Sequence, residues 1–195
     1  MSAAYLRRAG VQTLPGGRHL TWSVAEGIRG RRWRGAVTGA DGELAEVLAV
    51  ETGPSGALTR LEMTTAAGLL TLHPAGSPVR LHGNVVRAGG VEPVSLPWSP
   101  AHALFAGASP LTAAVAAGGP AAVAGVGEGR TIRAVEIGPG LVVREATWRI
   151  AHTSPTRWRM LAADGGPSLL LVLDTDGLPA GDEAASWPLE DAAAQ

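Results

Sequence analysis

The sequence predicts an all-β protein: a curled antiparallel sheet, or spiral β-roll, built from two similar halves with little helix. Three observations carry that prediction. Residues 21 to 56 are echoed at 147 to 181. Short runs with apolar residues at alternate positions are separated by clusters of Gly, Pro, Asp and Ser, as in an antiparallel sheet with one wet face. No window longer than a turn or two shows a 3.6-residue period.

Each copy of the repeat opens on Thr-Trp, at Thr21-Trp22 and Thr147-Trp148. An Arg-Trp-Arg follows, Arg32-Trp33-Arg34 in the first copy and Arg157-Trp158-Arg159 in the second. Then comes an Asp-Gly turn, Asp41-Gly42 or Asp164-Gly165, and an apolar strand ending in an acid-Thr pair, Glu51-Thr52 or Asp174-Thr175. At 195 residues the chain is long enough to bury a single core. We therefore expect one domain over 1–195, with similar halves at 18–104 and 128–181, a connector at 105–127 and an acidic tail at 182–195.

In chain order, Leu20, Trp22 and Val24 share one face of the first expected strand, and Trp33 shares a face with Val37 on the next. Strands are expected at 44–51, 57–64, 68–73 and 79–86, with turns at Gly53-Pro54-Ser55-Gly56 and Pro74-Ala75-Gly76-Ser77-Pro78. The run Val91 to Trp98 places Val94, Leu96 and Trp98 together. The uncharged stretch from Pro93 to Gly127 has the length of a membrane span, but its Ala/Gly composition and its breakers, Pro110, Gly118, Gly119 and Pro120, argue against one. It predicts a connector with one helical turn around Leu111 to Ala117. In the second half, 130–137 and 141–150 form a hairpin across Gly138-Pro139-Gly140, and 157–163 and 168–174 complete the echo of the first.

Composition excludes several functions. Cysteine is absent, which removes disulfides, thiolate metal sites and a cysteine nucleophile. Lysine is absent too, so all 16 basic residues are arginine. Residues 1 to 164 carry those 16 arginines against 11 acids, whereas six acids and no base follow. That is a mildly basic body with an acidic tail, not the concentrated basic face of a nucleic-acid binder. The N-terminus, MSAAYLRRAG, has no apolar stretch after its arginines, so we expect no secretory signal and a cytoplasmic protein.

The candidate ligand-binding residues are Trp22, Trp33, Trp98, Trp148 and Trp158, with Arg32, Arg34, Arg157, Arg159 and His82. Six of the eight aromatic residues are Trp, a side chain suited to sites with one apolar edge and one polar partner, though equally to a core. Strand alternation sends Trp33 and Arg31 to one face and Arg32 and Arg34 to the other. Each Arg-Trp-Arg is thus an inward ring between two outward charges. His73, His82, His102 and His152 lack the close spacing of metal ligands, and neither a Gly-x-Ser-x-Gly elbow nor a phosphate loop occurs. No metal and no cofactor is expected.

From Val79 to Leu104 the chain reads VRLHGNVVRAGGVEPVSLPWSPAHAL, and this segment resembles a bacterial family of glycolipid-binding proteins. Leu81-His82-Gly83 stands where that family has Leu-Asp-Gly, and Val94, Leu96, Trp98, Ser99, Pro100, Ala101 and Leu104 fall in step with its later motif. Trp33-Arg34 and Leu173-Asp174-Thr175-Asp176-Gly177-Leu178 extend the resemblance over nearly the whole chain. The departures are His82, Pro93 and Ser95 in place of aspartates and Ala103 in place of an asparagine. The resemblance implies a curled sheet in two halves and an amphiphilic ligand such as a glycolipid.

Three functional readings stay open at this level. The first is a non-enzymatic binding protein that holds an amphiphile on a Trp-lined concave sheet with arginine at its rim. The second is a small hydrolase-like enzyme using His73 or His82 beside a strand carboxylate. The third is a structural or interaction module, for which pairing of sheet edges in a homodimer is the natural association.

Overall fold

The protein is described here by a computed structural model covering residues 6–107, 109–122, 125–166, 168–180 and 190–191. The fold is all-β, as expected. Its first sheet is a meander of eight strands: β1 (Arg7–Leu14), β2 (Arg18–Gly27), β3 (Gly30–Thr38), β4 (Leu44–Thr52), β5 (Leu58–Thr65), β6 (Gly68–Ala75), β7 (Arg80–Arg87) and β8 (Gly90–Pro97). Each pairs antiparallel with the next, because every connection is a short turn.

A second, curled sheet holds β9 (Ala103–Ala106), β10 (Gly129–Gly138), β11 (Val142–Ser154), β12 (Arg157–Ala162) and β13 (Ser168–Val172), in the order β13-β12-β11-β10-β9. The short strand β14 (Glu190–Asp191) pairs with the outer edge of β1 at Arg8 and Ala9. The other end of that sheet, β8, carries Pro93 and Pro97, which have no N–H to offer a further strand. Trp187 and the rest of the acidic tail lie outside the described residues.

The repeat appears as two matching meanders. Trp22 and Trp148 sit on β2 and β11, Trp33 and Trp158 on β3 and β12. Burial follows the period of two: Leu20, Trp22 and Val24 are buried with exposed residues between them, and so are Trp148 and Ile150. Inward-facing residues of both sheets form one core, which contains the stacked rings of Phe105 and Trp148, 4.1 Å apart at 17°.

Two elements differ from the sequence expectation. Strand β1 escaped it, since RRAGVQTL shows little alternation. The connector, expected as a loop with one helical turn, is structural: Ala103–Ala106 forms β9, and Pro110–Gly118 forms a nine-residue helix, α1. β9 pairs parallel to β10, which requires a crossover, and α1 lies in that crossover. Leu111, Ala113, Ala114, Ala116 and Ala117 are all buried, so the helix is apolar nearly all round, as a core helix must be. An amphipathic period is absent for the same reason.

Helix α1 packs on the first sheet at Gly35. A Cβ at that position would stand 2.5 Å from Leu111 Cδ1 and 3.1 Å from Leu20 Cδ1, so the glycine is the socket for Leu111. Among the described residues no helix is long and apolar enough to cross a membrane.

Candidate functional site

A cavity of about 590 Å³ opens between the two halves. Matching positions of the two copies line it. The first copy contributes Trp33 and the segment from Thr52 to Gly56, the second contributes Trp158 and the segment from Leu173 to Gly177. The C-terminal part of α1, from Ala114 to Gly118, closes one side. Both acid-Thr strand ends of the repeat therefore run into one space, and so does the ring of each Arg-Trp-Arg.

The copies diverge in the polar groups they present. His152, at the position of Glu26 in the first copy, lies directly opposite Trp158, and the two rings stack at 4.1 Å and 7°. A bulge between His152 and Ser154 adds one residue to β11 just past this pair. In the first copy the neighbour of Trp33 is Arg31, whose guanidinium carbon stands 6.0 Å from the indole centroid. Arg31 Nε donates to Glu26 Oε2 at 2.8 Å and its Nη1 to the carbonyl oxygen of Asp176 at 3.0 Å.

The loop after β13, part of the cavity wall, is held by bonds within itself and by Arg8 as well as by Arg31. Asp174 Oδ1 accepts from the backbone N–H groups of Asp176 and Leu178, both at 2.9 Å. Arg8 Nη1 donates to Asp176 Oδ2 at 2.8 Å, while its Nη2 is 3.6 Å from Asp174 Oδ2, an ion pair too long for a hydrogen bond. Four buried side-chain atoms around the cavity have no hydrogen-bond partner among the described residues: Trp33 Nε1, His152 Nδ1, His152 Nε2 and Asp174 Oδ2. All four belong to residues that line the cavity, whereas Trp148 Nε1, also unpartnered among the described residues, lies in the core.

The candidate residues separate into distinct places. Trp22 and Trp148 fill the core, the latter only 1% exposed. Trp33 and Trp158 reach the cavity, although both are nearly buried. Trp98 lies elsewhere, over a void of about 30 Å³ against His102. Arg32, Arg34, Arg157 and Arg159 do not line the cavity; they project from the opposite faces of β3 and β12, where Arg32 pairs with Glu51 at 3.3 Å. Among the described residues the arginine that lines the cavity is Arg31; Arg8 pairs with Asp174 and Asp176, which line it.

His82 is also remote from the cavity. It stands opposite His73 and Ser95 on the outer face of the first sheet, and neither histidine lines the cavity. A Ser–His contact does occur elsewhere, where Ser99 Oγ is 2.7 Å from His102 Nδ1. The same nitrogen accepts the backbone N–H of Ser99 at 3.0 Å within a tight turn, and burial lowers the His102 pKa. That geometry closes a turn rather than arming a nucleophile. No cluster of three or more metal-ligating side chains occurs among the described residues.

Sequence reasoning missed Arg31, Glu26 and His152 as cavity residues. The signal was available in the strand phase: His152 continues the inward series Trp148, Ile150, and Arg31 shares the inward face of Trp33.

A second cavity of about 340 Å³ lies apart from the first, with Glu46 as its acid. Burial raises the Glu46 pKa from the ordinary 4.5, with Arg18 opposing the shift. The folded state therefore holds this proton more tightly than the unfolded chain, and ionising Glu46 costs stability as pH rises above about 4.5. Glu46→Gln is expected to raise the melting temperature at pH 7 to 8, with the gain shrinking to nothing by pH 4. Thermal unfolding of both proteins across that range measures it, and a gain independent of pH would disprove the assignment.

Fold and site together define an all-β protein, an eight-strand antiparallel meander and a curled five-strand sheet, with a mixed polar and aromatic cavity lined by residues of both. No protein-family model matches the chain, and no curated protein matches it. Among solved structures it is similar to the crystal structure of a DUF1089 family protein from Pseudomonas aeruginosa, at 16% identity and a TM-score of 0.51. The similarity covers 91% of this chain and 89% of that one, so the two share a fold over nearly their whole length.

Proposed function

We propose that this chain is a non-enzymatic binding protein for an amphiphile with a hydroxyl-bearing head, of which a glycolipid is one kind. The unpartnered buried atoms support this most directly. Trp33 Nε1 can only donate, and a neutral His152 offers one donor and one acceptor, while Asp174 Oδ2 already faces Arg8 at 3.6 Å. A ligand that meets Trp33 and His152 has to both donate and accept, and hydroxyl groups do both. Apolar surface from Trp33, Trp158, Val115 and Leu173 suits the less polar part of such a molecule.

The enzyme reading needs a histidine with a carboxylate in hydrogen-bond reach. His152 has no hydrogen-bonded side-chain partner of that kind among the described residues, so no specific observation favours catalysis.

Octyl β-glucoside, titrated below its micelle concentration against intrinsic tryptophan fluorescence, tests the binding reading. A saturable spectral shift is expected, since Trp33 and Trp158 line the cavity. The informative variant is His152→Phe, which keeps a ring against Trp158 and removes both unpartnered nitrogens. It is expected to leave folding stability unchanged or slightly higher, because no hydrogen bond is lost. Affinity for the glucoside should fall about tenfold, or about 1.4 kcal/mol. Equal affinity of the two proteins, or no shift in a folded sample, would count decisively against the reading.

A further inference from the structure

The second cavity bears on a different ligand. Its walls come from both halves: Leu20, Val37 and Met63 from the first sheet, Ile137 and Leu141 from the region of the β10–β11 turn. Into this largely apolar space the first sheet turns an acid. On β4 the alternation places Glu46 on the same face as Leu48 and Val50, which are both buried. Across the sheet Glu46 lies level with Val37 on one side and Thr65 on the other, and all three line the cavity.

A carboxylate on the core face of a strand breaks the local pattern and costs desolvation unless something pairs with it. The obvious partner is Arg18, the one base in the cavity wall. Its Nε donates to the carbonyl oxygen of Pro15 at 3.3 Å, and among the described residues it makes no hydrogen bond or salt bridge to Glu46. Arg18 acts on Glu46 only through its charge, and burial outweighs that effect. Leu141, nearly fully buried in the same wall, has a φ of 59°. A non-glycine residue held in the left-handed region is a backbone strain of the kind that gathers at binding sites.

We propose that this cavity is a second binding site, with Glu46 as its anchor, for a small organic ammonium ion carrying a compact apolar body. The ammonium donates charge-assisted hydrogen bonds to the Glu46 carboxylate. The body lies against Leu20, Met63, Ile137 and Leu141. An anion would meet the charge of Glu46 head on, and a neutral hydrocarbon would leave the carboxylate uncompensated. The cavity volume of about 340 Å³ is at the lower end of small-molecule sites, which limits the ligand to a compact body rather than a long chain.

Isothermal titration at pH 8 with cyclohexylmethylamine, cyclohexylmethanol and cyclohexylacetate separates these cases on one apolar body. The amine is expected to bind the full-length chain at least tenfold more tightly than the alcohol, and the carboxylate not at all. Glu46→Gln keeps the shape of the side chain and removes its charge, so it should abolish the preference for the amine. The proposal is overturned by failure of the amine to bind at millimolar concentration. It is equally overturned by unchanged amine binding in Glu46→Gln, or by a carboxylate that binds as well as the amine.

Discussion

Trp148→Ala is expected to cost about 3–5 kcal/mol of folding free energy, the usual range for truncating a fully buried Trp. The indole is 1% exposed and stacks on Phe105 at 4.1 Å, so the substitution removes both a large buried area and an aromatic contact. Phe105 belongs to β9 and Trp148 to β11, with β10 paired between them, so the loss loosens the parallel edge of the second sheet. A stability of about 5–15 kcal/mol is normal for such a domain, and the variant would forfeit a large part of it. Urea unfolding should show a much lower midpoint with an unchanged slope. A loss below about 1 kcal/mol would mean that the ring does not fill the core, against the range expected for a buried Trp. Trp148→Phe is the milder companion: it keeps the stack and deletes Nε1, which has no partner among the described residues.

Gly83→Ala is expected to destabilise by about 3 kcal/mol or more, at the upper end of overpacking effects. A Cβ at Gly83 would be driven into the carbonyl oxygen of Thr71, with the Cα of Leu72 also in close contact. These are backbone atoms of the paired strand β6, and they cannot rotate away as a side chain can. β6 and β7 would have to separate locally. Gly89→Ala is the control, because nothing lies within 4 Å of a Cβ there, and it should change stability by less than about 0.5 kcal/mol. Parallel melting curves of the two variants decide the matter, and equal melting temperatures would refute the steric argument. Gly83 closes the Leu81-His82-Gly83 segment that carried the resemblance to glycolipid-binding proteins. Whatever else that motif does, its glycine here keeps two strands in contact.

Much of the fold was legible because strand physics is local. A side-chain period of two tells which residues share a face, and it separated Trp33 from Arg32 and Arg34 without any coordinates. The duplication was legible too, since each copy carries its own turn and strand signals. Strand β1 and helix α1 were less so. β1 has only one buried residue in eight, and α1 is buried nearly all round, so neither shows the amphipathic period that sequence reading depends on.

The candidate site divides along the same line. By itself the sequence determined that Trp22, Trp33, Trp148 and Trp158 all point inward, because the direction of a side chain from a strand is set by position in the chain. Only the tertiary structure decided which inward rings meet filled space and which meet a cavity. All four rings belong to one buried core, but of these only Trp33 and Trp158 also border the cavity. Glu46 and His152 follow the same rule. Their inward phase is a property of β4 and β11, but what faces them is supplied by distant segments that the local period does not encode.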